Sequence, residues 1–196
     1  DKVGYGPTVS MALDGIFVPL SSTFQVFADY MRPAIRMASL MNLRHLFVFT
    51  HDSYQVGEDG PTHQPIEHIN ALRIIPGLRV IRPCNDIETA HALLYFMENR
   101  SPVALILSRQ TLGAEAFGGD GVTRVSYDDF TKGAYRITAT GTNPDCVLAA
   151  SGHEVSLAIK AAHILKERGI IAEIVSLPSL ELLEEWSHTY NKDADH

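Results

Sequence analysis

Short unbroken apolar runs, set between longer segments of mixed polarity, dominate the polarity pattern of this chain. Leu46-Phe47-Val48-Phe49 leads into Thr50, Leu78 to Ile81 forms a second run, and Val103 to Leu107 a third. Runs without alternation suit strands buried on both faces of a parallel sheet. The segments between them have helical character. Phe24 to Asn42 is mostly helix-like, with Pro33 as the obstacle. Proline in a helix interior costs about 3 kcal/mol. The pattern therefore predicts a break near Met31-Arg32 and a fresh helix from Pro33. Ile66 to Ile74 suits a short helix. Asn85-Asp86-Ile87-Glu88 resembles a capping box, with Asn85 as cap and Glu88 reaching back, opening a helix that runs to about Asn99. Strands alternating with helices predict an α/β fold, a parallel sheet flanked by helices.

From Thr111 to Asp129 the chain turns richer in Gly and polar residues and reads as a connection leaving that domain. Ala134 to Thr138 and Cys146 to Ala150 look like strands. Ser151-Gly152-His153-Glu154 reads as a second capping box, Gly169 as the stop of the helix it opens, and Ile170 to Val175 as the next strand. One strand–helix–strand unit cannot bury both faces of a sheet, so an incomplete second α/β domain is expected. The predicted division is residues 1–125 for the first domain, 126–142 for a linker and 143–196 for the start of the second.

The chain has 196 residues, 45% hydrophobic and 20% charged, which is ordinary globular composition. The net charge of −7, without a basic cluster, argues against nucleic acid or an anionic membrane as partner. No apolar stretch approaches membrane-spanning length and no signal peptide opens the chain. Cys84 and Cys146 lie far apart without metal spacing and read as free thiols, which points to a reducing cytoplasm.

The richest chemistry follows the first apolar run. Thr50 to Pro65 holds two His, three carboxylates, two Gly and two Pro in sixteen residues. Gly and Pro at this density exclude a regular helix and force sharp turns. Ionisable side chains are thereby gathered at the end of a strand, the edge where open α/β sheets bind ligands. Arg109 follows the third run, and its planar fork of donors suits phosphate, which His51 would share. Phe24, Phe27 and Tyr30 recur at a spacing that puts them near one helix face, which fits either core packing or an aromatic pocket. Two further patterns are set aside. Gly119-Asp120-Gly121 lacks the flanking strand and helix of a diphosphate motif and reads as a turn. His63, Glu67 and His68 do not converge as a helical zinc motif would, so no metal site is assigned.

His51-Asp52-Ser53 with Gly57-Glu58-Asp59-Gly60-Pro61-Thr62-His63-Gln64-Pro65 resembles the signature of transketolases. Ser22-Thr23-Phe24 with Tyr30-Met31-Arg32-Pro33-Ala34, Arg82-Pro83 and Ser108-Arg109-Gln110 extend the likeness, which runs from about Leu13 to about Ser179. The resemblance implies the pyrimidine-binding domain of a thiamine-diphosphate enzyme plus the beginning of the C-terminal domain, so the chain looks like a fragment of a longer enzyme. It implies transfer of a two-carbon ketol unit from a ketose phosphate to an aldose phosphate, in the pentose phosphate pathway. By the same likeness, Phe24, Phe27 and Tyr30 would line the aminopyrimidine pocket. His51 and Arg109 would hold sugar phosphate, and Asp59 and His63 would contact sugar hydroxyls, with catalytic roles in moving protons. Magnesium or a similar divalent cation would be bound by an N-terminal domain, and the partner would be a second copy in a homodimer or a separate diphosphate-binding chain. The family's pyrimidine-contacting Glu falls near Asp1, whose neighbours Lys2-Val3-Gly4-Tyr5 do not match, so no residue is assigned to it. Ile16 stands where the family usually has Gly. Dihydroxyacetone synthase, deoxyxylulose-phosphate synthase and a non-catalytic interaction module are the alternatives.

Overall fold

The computed structural model describes residues 2–52, 54–111 and 125–194. Asp1 and Gly119-Asp120-Gly121 lie outside the described residues. The chain forms two compact units, Asp1–Ile81 with Ala92–Thr111, and Arg82–His91 with Leu112–His196.

The first unit is built on four parallel strands, β1 (Leu20–Phe24), β2 (Leu46–Asp52), β3 (Arg79–Ile81) and β4 (Val103–Ser108), in the order β1-β2-β4-β3. The three apolar runs became β2, β3 and β4, and Phe47, Phe49, Val80, Ala104 and Ile106 are fully buried or nearly so. β1 was not foreseen. Leu20-Ser21-Ser22-Thr23-Phe24 has no apolar alternation, and Ser21 is its one buried residue. Helix α1 (Lys2–Asp14), also unforeseen, ends at Gly15, whose φ of 74° suits the left-handed position past a helix end.

The predicted break at Met31-Arg32 is corrected by the structure. A 3-10 turn over Gln25–Phe27 passes into one helix, α2 (Ala28–Leu40), with Pro33 inside it. Pro33 removes a hydrogen bond to the carbonyl of Asp29. Asp29 is exposed, so water can take that partner's place. The buried stripe Ala28, Met31, Ile35 and Ala38 runs through the proline unbroken, and its burial holds the helix together. Helix α3 (His68–Arg73) is shorter than expected.

Helix α4 (Asp86–Glu98) opens within the second unit. Asn85 caps it, accepting the Glu88 amide at 2.8 Å. Glu88 reaches one residue further back than a capping box would, accepting the Cys84 amide at 2.6 Å. Its fully buried carboxylate also accepts the hydroxyls of Tyr135 at 2.7 Å and Ser176 at 2.5 Å. Three donors satisfy a charge that would otherwise be costly to bury. Burial first, and Glu88 second, push the Cys84 thiol and the Tyr135 phenol far above their ordinary ranges, so both stay protonated.

The second unit's sheet has the order β5-β7-β6, where β5 (Tyr135–Ala139) is antiparallel and β6 (Cys146–Ala150) parallel to β7 (Ala172–Ser176). Helices α5 (Tyr127–Thr131), α6 (Glu154–Glu167) and α7 (Leu180–Ala194) complete it. The capping box expected at Ser151 does not form. Ser151 and Glu154 instead converge on buried Arg82, which donates to the Ser151 carbonyl at 2.7 Å and lies 2.5 Å from the Glu154 carboxylate. A buried guanidinium claims these oxygens because its own desolvation is the larger cost. Gly169, at φ 79°, ends α6 as expected, its amide bonding the Lys166 carbonyl and the Ile170 amide the Leu165 carbonyl.

Candidate functional site

At the carboxyl ends of β1, β2 and β4 the backbone itself is irregular. β2 pairs Phe49 with Ile106 and then Asp52 with Ser108, so three steps on β2 face two on β4. An extra residue of this kind bends the strand and re-aims its side chains. His51 sits in the bulge at φ 62°, a left-handed conformation uncommon outside glycine. The loop beyond is compact rather than extended, with 3-10 turns over Tyr54–Asp59 and Pro61–His63. Gly57 and Gly60 both take φ 80°, which explains their place here.

These turns fold the loop back over the end of β1. The His51 ring stacks on Phe24 with centroids 3.6 Å apart and planes 20° from parallel. The His63 ring meets Phe27 edge-on at 5.5 Å and Phe24 at 6.2 Å. Phe24 and Phe27 stack at 6.1 Å, and Tyr30 continues the row 6.1 Å from Phe27. Phe24 ends the strand, Phe27 the 3-10 turn, and Tyr30 lies in the first turn of α2. The three aromatics therefore line a strand-to-helix junction rather than the face of one helix. They are partly or largely exposed, Tyr30 at 59%, so they are not core.

Asp59 and Arg109 form a second group. Arg109 Nε lies 3.0 Å from Asp59 Oδ2. Both side chains are about one-third exposed (30% and 37%), so the pair is partly screened by water. Nε, on one edge of the guanidinium, is used in this way. Each histidine is oriented through Nδ1, His51 by the Thr50 hydroxyl at 3.0 Å and His63 by the Thr62 hydroxyl at 2.9 Å. All seven residues singled out in the sequence thus lie in the first unit, in two groups at one sheet edge.

Gln25 was not anticipated. It is fully buried between Phe24 and Phe27 in sequence, and neither atom of its side-chain amide has a hydrogen-bond partner. Its polar type inside an aromatic stretch was the one available signal. The His51 bulge had no sequence signal at all.

A family model described as "Transketolase, pyrimidine binding domain" matches residues 5–115, more than half of the chain. The chain belongs to the transketolase family. A second model, the transketolase-like C-terminal domain, matches residues 133–194. The transketolase of Halalkalibacterium halodurans is 46% identical over 184 residues, which is 93% of this chain and 27% of that protein. The crystal structure of transketolase from Campylobacter jejuni superposes with a TM-score of 0.84 at 38% identity, covering 92% of this chain and 27% of that one. A transketolase from Pichia stipitis in complex with sedoheptulose-7-phosphate matches with a TM-score of 0.75 at 36% identity, over 84% of this chain and 23% of that one. The chain thus spans about a quarter of the length of these transketolases. Among the described residues no helix is long and apolar enough to cross a membrane.

Proposed function

We propose that this chain supplies the pyrimidine-holding and sugar-reading half of a transketolase active site. The observation that carries this reading is the convergence of two phenylalanines, two histidines and the Asp59–Arg109 pair at the carboxyl ends of β1, β2 and β4. The domain over 1–125 would hold these groups, followed by a linker over 126–142 and a C-terminal domain from 143.

The residues fit the aminopyrimidine ring of thiamine diphosphate. The stacked faces of Phe24 and Phe27, continued by Tyr30, suit a flat heterocycle. The unpartnered buried amide of Gln25 adds a donor and an acceptor next to them in sequence. When bound, the cofactor supplies the nucleophilic carbon that carries a two-carbon ketol unit. The chain's own residues position the sugars. Arg109 and His51 bind the phosphate, the guanidinium aimed by its pairing with Asp59 and the imidazole fixed by its stacking on Phe24. Asp59 and His63 bind sugar hydroxyls. Thr62 engages His63 Nδ1, so Nε2 is the atom that takes and returns a proton.

The diphosphate and its divalent cation, such as magnesium, would be held by another domain, in a homodimer partner or in a separate chain. Free Cys84 and Cys146 accord with work in the cytoplasm. The relatives are transketolases, which favours ketol transfer to an aldose phosphate over the dihydroxyacetone synthase and deoxyxylulose-phosphate synthase reactions. The test is a ketol-transfer assay on this chain combined with a transketolase diphosphate-binding domain. Transfer from xylulose phosphate to ribose phosphate, with the KM for thiamine diphosphate raised in Phe27→Ala, supports the reading. No transfer from the combined protein, with cofactor shown to be bound, overturns it.

A further inference from the structure

Outside the site already described, one cluster among the described residues of the first unit combines metal-ligating chemistry with a buried, unpartnered nitrogen. His68 opens α3, and its side chain is only 5% exposed. Its Nδ1 is buried without a hydrogen-bond partner. That nitrogen stands 3.7 Å from Oε2 of Glu67, beyond hydrogen-bond length. On the other side of the ring, Nε2 lies 3.3 Å from Oδ2 of Asp29, in the first turn of α2. One ligand atom from each of the three residues lies within 4.8 Å of the other two. The sequence offered His63 as a companion of Glu67 and His68. In the fold His63 is turned into the aromatic group, and Asp29, remote in sequence, takes the third place.

We propose that Asp29, Glu67 and His68 form a binding site for a zinc-like divalent cation. Zinc binds imidazole nitrogen and carboxylate oxygen at about 2.0–2.2 Å, which puts neighbouring ligands on a tetrahedral ion about 3.3–3.5 Å apart. One ligand atom of each residue lies within 4.8 Å of the other two, and the 3.7 Å from Nδ1 to Glu67 is close to that spacing, whereas the 3.3 Å to Asp29 is measured from the opposite nitrogen, Nε2, so Asp29 has to turn to join them. The cation takes the orphaned Nδ1 together with the Glu67 carboxylate. Asp29 is 59% exposed on its side chain and Glu67 73%, so both carboxylates can rotate onto the ion without repacking the core. Water completes the coordination. Two carboxylates and a neutral imidazole carry two negative charges, which a divalent cation neutralises. An imidazole nitrogen in the set selects zinc, cobalt or nickel over magnesium or calcium. Asp29 adjoins Tyr30, and Glu67 follows closely on His63. The ion would therefore tie together the two chain segments from which those side chains project.

The test is a zinc titration of the full chain by calorimetry, repeated with cobalt and read by visible absorption. One equivalent of zinc is expected, with a cobalt band of low-symmetry coordination. Glu67→Gln should weaken binding at least tenfold and His68→Ala should abolish the single equivalent, while His188→Ala, at an exposed position elsewhere, leaves it unchanged. Glu67 and Asp29 are surface side chains, so Glu67→Gln and Asp29→Asn decide the matter if His68→Ala fails to fold. Absence of a stoichiometric site, or equal affinity in wild type and Glu67→Gln, overturns the proposal. None of these residues is placed in sugar or cofactor binding, so the result is independent of the ketol-transfer assay.

Discussion

Arg109 would meet two demands with one side chain. Its Nε is engaged with Asp59 at 3.0 Å, which aims the rest of the fork. In an enzyme that carries this chain with its diphosphate-binding domain, Arg109→Ala should raise KM for phosphorylated sugars far more than for unphosphorylated ones. The loss of a charge-assisted contact corresponds to about 1.5–3 kcal/mol. Equal effects on the two substrate types would rule out the phosphate role. His45 gives a second prediction at this scale. It is fully buried and stacked on Phe47 at 4.0 Å, and its Nε2 lies 2.9 Å from the Ser21 hydroxyl, which in turn donates to Thr8. Nδ1 has no partner, so a proton there would be a buried, unpaired charge. Burial lowers its pKa from 6.5 to about 4. Between those values the unfolded chain binds a proton that the folded chain refuses. The stability from neutral His45 is therefore full above pH 6.5 and is lost as the pH falls towards 4, by roughly 3 kcal/mol in all. Denaturant midpoints measured at pH 7 and pH 5 should differ, and His45→Gln should flatten the difference. An unchanged slope in that variant would assign the pH dependence elsewhere.

At the scale of elements, the start of α6 depends on one glycine. Gly152 takes φ 59°, and a Cβ there would lie 2.9 Å from Cγ and Nε of Arg82, the buried cation that pairs with Glu154. Gly152→Ala must pay for both the backbone conformation and the displaced guanidinium, so it should destabilise the second unit by more than about 1 kcal/mol. Thermal unfolding of that variant against wild type checks it, and an unaltered Tm would show that Arg82 moves aside freely. The elements divide cleanly by what could be read in advance. β2, β3 and β4 were legible because burial on both faces writes a continuous apolar run. β1 was not, because its Ser and Thr residues are held by pairing to β2 rather than by an apolar pattern of their own. The first capping box was half legible, since Asn85 caps locally while Glu88 turns to donors from distant strands. The second was misread, because Arg82, distant in sequence, donates to the Ser151 hydroxyl oxygen at 3.2 Å and pairs with the Glu154 carboxylate.

For the molecule as a whole, the seven candidate residues all fall in the first unit, and they would grip only one end of the cofactor. One stacked ring is worth roughly 0.5–1.5 kcal/mol beyond its area burial, whereas micromolar binding needs about 8 kcal/mol. The chain alone should therefore bind thiamine diphosphate weakly and catalyse no ketol transfer. Calorimetry with thiamine diphosphate and magnesium measures this, and a dissociation constant in the low micromolar range would require a diphosphate site within the chain.

The amino-acid sequence by itself determined the parallel α/β character, the turn-rich loop after β2 and the identities of the aromatic, histidine, aspartate and arginine groups. It did so because burial periodicity and the backbone preferences of glycine and proline are local properties. Tertiary structure alone decided that His51 enters a left-handed bulge, that it stacks on Phe24, that Arg109 meets Asp59, and that His68 meets Asp29 rather than His63. Those pairings join residues far apart in the chain. They follow from the strand order β1-β2-β4-β3, which sets the ends of sequence-distant strands side by side, and from the long-range packing that local patterns do not encode.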